Sequence, residues 1–181
     1  VQDAVFGMVG RLPPGGLELR HHLGEADAKV DIGAVRDVLR RGSRPLGADL
    51  GGGDDVSSAG GSREPWDPVR FLGNSSSGRQ GVELARTAIT RGARVTLVAA
   101  HLEVEPPAGC TVVRVGTARE LGRAMHDVAP SADVVVMAAA VADFRPETVG
   151  DHKIKRAGQA SEISLPLAQN PDVLHELVMA R

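Results

Sequence analysis

From residue 67 onward, apolar and polar positions fall into a regular succession of blocks. Residues 80–91 place Val82, Ala85, Ala88 and Ile89 at helical spacing, and Gly92 supplies a stop. Residues 94–99 are a short β-branched run that predicts a buried strand, and residues 111–115 predict another. Residues 117–128 put Leu121, Ala124, Met125 and Val128 on one face, with Thr117 and Glu120 spaced as a capping box. Residues 133–140 are apolar without alternation, as in a central parallel strand covered on both faces. A further strand is predicted over 161–167, broken near its end by Pro166. Asn170 followed by Pro171, at a first helical position, predicts a last helix running toward Met179. Helices alternate with strands, so the fold class is α/β: a Rossmann-like, doubly wound, mostly parallel sheet with helices on both faces.

Residues 1–47 lack this patterning. Gly10-Arg11-Leu12-Pro13-Pro14-Gly15-Gly16 breaks any regular element, and residues 31–41 offer one short helix through Ile32, Val35, Val38 and Leu39. Residues 46–61, rich in Gly and Asp, read as loop. No fixed-period repeat is visible.

Composition narrows the function classes. An aromatic content of 2% requires a core of Val, Leu, Ile and Ala, and a formal net charge of −2 offers no footprint for nucleic acid. The arginines 36, 40, 41 and 44 read as a solvated helix end or linker. Cys110 is the only cysteine, which excludes an internal disulfide and a Cys-cluster metal site. It reads as a small apolar residue at the start of a strand, and a cytoplasmic location is the default. The longest apolar run, 134–142, is far short of the roughly 20 residues of a membrane helix, and no signal peptide opens the chain. The chain begins at Val1 and stops at Arg181 within a predicted helix, so both ends read as cut.

Five segments could carry chemistry. Ser58-Ala59-Gly60-Gly61-Ser62-Arg63-Glu64-Pro65 is a turn, or a glycine loop whose amides approach a phosphate beyond a strand end. Gly73-Asn74-Ser75-Ser76-Ser77-Gly78-Arg79-Gln80-Gly81 opens a helix with more small polar side chains than a cap needs, which favours an oxyanion or phosphate cradle. The strand ending Ala138-Ala139-Ala140-Val141-Ala142 leaves room for a flat ligand, with Asp143 set to meet a ribose hydroxyl or a phosphate-bound Mg²⁺ or merely to cap a turn. Lys153-Ile154-Lys155-Arg156, at the opening of a strand, suits a triphosphate or a solvated edge. Asn170-Pro171-Asp172-Val173 places a helix start on the ligand side.

Read in order, these segments resemble the phosphopantothenoylcysteine synthetase domain, often fused behind a flavin-dependent decarboxylase in bacteria. Residues 58–71 follow that family's opening loop, and 74–81 its Asn-x-Ser-Ser-Gly-Lys/Arg-x-Gly motif. Residues 138–146 match its Ala-Ala-Val-Ala-Asp-aromatic-Arg stretch, 153–156 its Lys-Ile-Lys-Lys and 170–173 its Asn-Pro-Asp-Ile. The resemblance covers about residues 57–181. It implies a ligase that joins 4′-phosphopantothenate to L-cysteine through an acyl-cytidylate, with CTP as co-substrate and Mg²⁺ assisting. Asn74 would act on the acyl-cytidylate. Asp143, Lys153, Asn170, Pro171, Asp172 and Val173 would hold CTP, with Lys155 a weaker candidate. Gly60, Gly61, Ser62, Ser75, Ser76, Ser77 and Gly78 would form substrate or phosphate loops, and no protein metal ligand is assigned.

The resemblance divides the chain into 1–47, a linker or degenerate remnant of a preceding domain, and 48–181, a partial ligase domain lacking its C-terminal third. FMN would be present only if a decarboxylase domain precedes. Homo-oligomerisation stays open. The sequence departs from the family at Gly51-Gly52-Gly53-Asp54-Asp55-Val56-Ser57, where an apolar first strand is expected. Two aspartates there make a poor central strand. That departure keeps a second reading, a non-catalytic degenerate or truncated copy. A third, a dinucleotide-dependent oxidoreductase, lacks its glycine fingerprint after a strand.

Overall fold

The computed structural model describes the backbone of residues 7–10 and, in full, residues 52–155 and 163–180. The helix expected over 31–41 lies outside these residues, as do Arg156 and residues 161–162 of the expected strand. In chain order the elements are β1 (Gly7–Gly10), β2 (Asp54–Ala59), β3 (Arg63–Asp67), β4 (Arg70–Gly73), α1 (Arg79–Thr90), β5 (Arg94–Ala99) and β6 (Thr111–Arg114). Then follow α2 (Ala118–Val128), β7 (Val134–Met137), β8 (Phe144–Pro146), β9 (Leu167–Gln169) and α3 (Val173–Met179).

Five strands form one sheet in the order β1-β7-β2-β5-β6. β2 pairs in parallel with both β5 and β7, β6 continues in parallel beyond β5, and β1 closes the other side antiparallel to β7. Successive residues of the strands point to opposite faces. Val56, Val98 and Val135 join Leu121 and Met125 of α2 and Val173 and Leu177 of α3 in one core. Ala59, Val95 and Leu97 join Val82, Ala85 and Ala88 of α1 in the other. The expected mostly parallel sheet with helices on both faces is therefore observed. The chain leaves β2 through α1 to one side and returns through α2 to the other, so the tip of β2 is the point where the winding reverses.

The helix ends follow the local chemistry. α1 stops where Gly92, at φ 86°, donates to the Ile89 carbonyl while Ala93 reaches back to Ala88. α2 begins with the capping box expected at Thr117 and Glu120. α3 differs from expectation: it starts at Val173, not at Pro171. The carboxylate of Asp172 accepts the His175 N–H at 2.9 Å and so makes Asp172 the N-cap.

Three further expectations are corrected. Part of the segment read as loop over 46–61 is β2, the centre of the sheet. Its aspartates sit at the first two positions only, and both are partnered. Asp54 takes the Arg94 guanidinium through two bonds of 2.8 Å, while Asp55 accepts the Ser57 hydroxyl at 2.8 Å. The next four residues, Val56 to Ala59, are fully buried. The strand expected over 161–167 is displaced to Leu167–Gln169 and pairs with β8 outside the main sheet. Pro166 has no N–H to give a ladder, and its carbonyl instead accepts the Glu147 N–H. Lys153 and Lys155 are themselves exposed and outside any strand, and the residues that follow, 156–162, lie outside the described ones. The hairpin β3–β4 was not anticipated; the Asp67 carboxylate makes its turn by accepting the Val69 and Arg70 N–H groups, each at 2.9 Å.

Candidate functional site

A cleft of about 490 Å³ opens beyond the tips of β2 and β7, where ligands of doubly wound sheets sit. One wall is the loop of Asn74, Ser75, Ser76, Ser77 and Gly78 with Arg79 and Gln80 of α1; the other is Ala138, Ala140 and Asp143.

The first wall is the open end of a helix. Gly78 is the N-cap of α1 with φ 76°, no side chain caps the helix, and no acidic residue stands in its first turn. The first intrahelical bond is that from Val82 to the Gly78 carbonyl at 3.0 Å. Ahead of it the Gly78 and Arg79 N–H groups make only long bonds of 3.4 Å to the Ser76 and Ser77 hydroxyls, which an anion drawn by the positive end of the helix dipole could replace. Glycine is required for this placement. A Cβ on Gly78 would fall 2.3 Å from Leu102 Cδ2, and one on Gly81 would fall 2.6 Å from both the Ala59 Cβ and the Ser58 carbonyl oxygen. Without these close approaches α1 could not begin against the tip of β2.

The second wall is a backbone held residue by residue. The buried Ser58 hydroxyl accepts the N–H groups of Ala138 and Ala139 at 3.1 and 3.2 Å. Ala140 donates to the Gly60 carbonyl and accepts from the Ser62 N–H. The Asn74 side chain donates to the Val141 carbonyl at 3.0 Å, and the Ser62 hydroxyl accepts the Ala142 N–H at 2.9 Å. Asn170 donates its side-chain N–H to Ala142 O at 2.8 Å and its backbone N–H to Asp143 O at 2.7 Å. The result is a shelf of small side chains, fit for a flat ring, that ends in the exposed carboxylate of Asp143.

Asn74, Ser75, Ser76, Ser77, Gly78 and Asp143 therefore meet at one cleft. Gly60, Gly61 and Ser62 lie behind it. All three are buried, with His101 N–H bonded to Gly61 O and the Ser62 hydroxyl committed to the shelf. Asn170 is also buried behind the shelf, Pro171 is exposed, Asp172 caps α3, and Val173 packs into the core against α2. Lys153 and Lys155 are exposed, and Ile154 between them is bonded to Asp67 and Arg70. His101 stands beside the 60–62 turn. Its burial, and then Arg63, lower its pKa against the opposing pull of Glu120. Sequence reasoning missed the structural work of Asp67 and Arg70, although their three-residue spacing around Pro68 is the available signal for such a turn.

The family described as the DNA/pantothenate metabolism flavoprotein C-terminal domain matches residues 52–181. The coenzyme A biosynthesis bifunctional protein CoaBC of Mycobacterium tuberculosis is 48% identical over 152 residues, which cover 83% of this chain and 36% of that protein. The protein of the same description from Bacillus subtilis is 40% identical over 131 residues, covering 72% of this chain and 32% of the relative. The chain thus spans about a third of the length of these curated relatives. Among solved structures, the C-terminal domain of a CoaBC protein superposes with a TM-score of 0.61 at 36% identity, covering 71% of this chain and 59% of that one. A Cab2 mutant in complex with phosphopantothenate-cysteine gives a TM-score of 0.59 at 16% identity, covering 80% of this chain and 62% of that one, which bears on the fold alone.

Proposed function

The chain belongs to the family of the DNA/pantothenate metabolism flavoprotein C-terminal domain, the phosphopantothenoylcysteine synthetase domains, and on that footing we propose that it serves as a CTP-dependent phosphopantothenate–cysteine ligase of coenzyme A biosynthesis. Residues 48–181 form the nucleotide- and phosphopantothenate-binding part in this reading, and residues 1–47 a linker or remnant of a preceding domain. The observation that carries it is the uncapped N-terminus of α1, with its serine loop, facing the alanine shelf and Asp143 across one cleft.

In the first half-reaction a carboxylate oxygen of 4′-phosphopantothenate attacks the α-phosphorus of CTP. The bond to the β-phosphate breaks, pyrophosphate leaves, and an acyl-cytidylate forms. In the second, the cysteine amine attacks the acyl carbon, CMP leaves, and the amine proton passes to solvent. Charge develops on phosphate and carbonyl oxygens in both steps, so preorganised donors lower both barriers. The amides at the start of α1 and the 75–78 loop are such donors. Asn74, fixed through Val141, presents its carboxamide to the acyl-cytidylate. Asp143 and the 170–173 segment bound the nucleotide side, and Lys153, with Lys155, supplies cations for the triphosphate.

Mg²⁺ would enter with the nucleotide as part of the substrate and would offset the charge of its phosphates. Among the described residues no three His, Cys, Asp or Glu side chains gather that could hold a metal ion. The cleft contributes a single carboxylate, Asp143. FMN belongs to a decarboxylase domain where one precedes the chain, not to residues 48–181. No helix among the described residues is long and apolar enough to cross a membrane.

Asn74→Ala in the full chain tests the reading. In single-turnover assays with Mg·CTP, phosphopantothenate and cysteine, the acyl-cytidylate should persist while its conversion to product falls about 10²-fold. Product formation at the parent rate would remove Asn74 from the role.

A further inference from the structure

The hairpin β3–β4 starts directly after the 60–62 turn behind the shelf and ends directly before Asn74, so it leads from the support of one wall to the start of the other. It is anchored to the connection between β6 and α2 by two bonds. Arg63 N–H bonds to the Gly116 carbonyl at 2.8 Å, and the buried Glu64 carboxylate accepts the Ala118 N–H, at the start of α2, at 2.8 Å. At its far end the hairpin holds a third segment. The Trp66 carbonyl accepts the Gly150 N–H at 3.0 Å. The Asp67 carboxylate accepts the Ile154 N–H at 3.1 Å, and Arg70 Nη2 donates to the Ile154 carbonyl at 2.8 Å.

Asp67 and Arg70 are themselves locked together. Arg70 Nε and Nη2 reach the Asp67 carboxylate at 2.9 and 2.5 Å, and the guanidinium lies 4.4 Å from the centre of the Trp66 ring. The Asp67 side chain is wholly buried, while that of Arg70 is 36% exposed. A buried carboxylate with three backbone N–H partners and a fixed guanidinium is a rigid fitting. The bond to Arg70 first, and the backbone amides after it, hold the Asp67 carboxyl far below the ordinary carboxylate range, so it is ionised throughout the working range of pH. This fitting grips one residue on both its amide and its carbonyl, and the residues on either side of it are Lys153 and Lys155.

We infer that the Asp67–Arg70 pair is a positioning device for the nucleotide triphosphate: by holding Ile154 at both backbone groups it fixes where Lys153 and Lys155 stand relative to the cleft. The inference rests on the reading of those lysines given above. Asp67 and Arg70 touch no substrate; they act through the lysines. A free irregular segment would have to order its two lysines when the triphosphate arrives, and the clamp removes that entropic cost in advance.

The test is a double-mutant cycle in Mg·CTP affinity, measured by titration calorimetry on the full chain. Lys153→Ala/Lys155→Ala and Asp67→Asn should each weaken binding by about tenfold, and Asp67→Asn added to the lysine double variant should weaken it no further. Arg70→Gln, at a partly exposed position, should reproduce the Asp67→Asn loss if that variant does not fold. Hydrogen exchange at the Ile154 amide should quicken in Asp67→Asn. Unchanged affinity in both Asp67→Asn and Arg70→Gln, with the lysine variant still weakened, sinks the clamp alone. So does a clamp loss of equal factor with and without the lysines, which is the mark of a merely structural effect. Parent-like binding by the lysine variant, or no binding by the parent chain, sinks the reading of the lysines and the clamp with it.

Discussion

β2 and β7 lie side by side at the centre of the sheet, yet one is written in polar residues and the other in apolar ones. β7 is Val134-Val135-Val136-Met137, whereas β2 is Asp54-Asp55-Val56-Ser57-Ser58-Ala59. β7 is held by burial; β2 is held by burial and by a partner for each polar group. Asp54 has Arg94 at the strand's exposed start, Asp55 and Ser57 bond each other, and Ser58 joins the backbone leaving β7. The polar strand is also the one that shapes the site, because the Ser58 hydroxyl fixes the start of the alanine shelf. A central strand can therefore be polar where its polar groups organise the neighbouring backbone.

That contrast can be broken most severely at β7. Val135 is 1% exposed in the core beneath α2. Val135→Asp would place there a carboxylate with no partner, at a cost of about 4 kcal/mol or more, enough to abolish cooperative unfolding in a circular-dichroism melt. A cooperative melt near the parent midpoint would show that β7 does not depend on burial.

Ser58→Ala probes the opposite strand with a smaller expected effect. It strands two buried amides and should cost about 2 kcal/mol, lowering the melting midpoint by about 5 °C. The same variant should weaken Mg·CTP binding, because the shelf loses its first two anchors. An unchanged midpoint would mean that Ser58 is packing only.

The mildest change, Asp55→Asn, sharpens the comparison by its sign. Burial raises the Asp55 pKa, with the Ser57 hydroxyl partly opposing. Below the ordinary carboxylate range the group is protonated in folded and unfolded chains alike and costs nothing. As pH rises through that range the unfolded chain ionises first, so this group's contribution to stability falls until the folded pKa is passed. Asp55→Asn should therefore melt slightly above the parent at pH 7, and the two curves should converge below about pH 4. A variant less stable than the parent at pH 7 would show that the charged carboxylate is itself a stabilising element.

The same contrast explains what the sequence made legible. The helices and the apolar strands were readable because their signals are local: the 3.6-residue spacing of Val82, Ala85 and Ala88, the Thr117–Glu120 box, the unbroken valines of β7. β2 was not, because what makes Asp54 and Ser58 acceptable is supplied by Arg94, Ala138 and Ala139, 40 to 81 residues away. Pro171 carries a true helix-start signal, yet the Asp172 cap overrides it by two residues. The cleft loop 74–78 and Asp143 could be picked out as candidates from composition and resemblance. The support that Ser62 and Asn170 give the shelf could not, since it depends on which way each buried side chain turns.

The central claim is that this cleft takes a cytidine triphosphate. Thermal unfolding of the full chain with Mg²⁺ and excess CTP, ATP or NADP in parallel tests it most directly. A ligand at about 100 times its Kd adds roughly 2.7 kcal/mol, a visible rise in the midpoint. CTP should raise the midpoint, and ATP and NADP should leave it unmoved. A rise with NADP in place of CTP, or no rise with any of the three, would contradict the account.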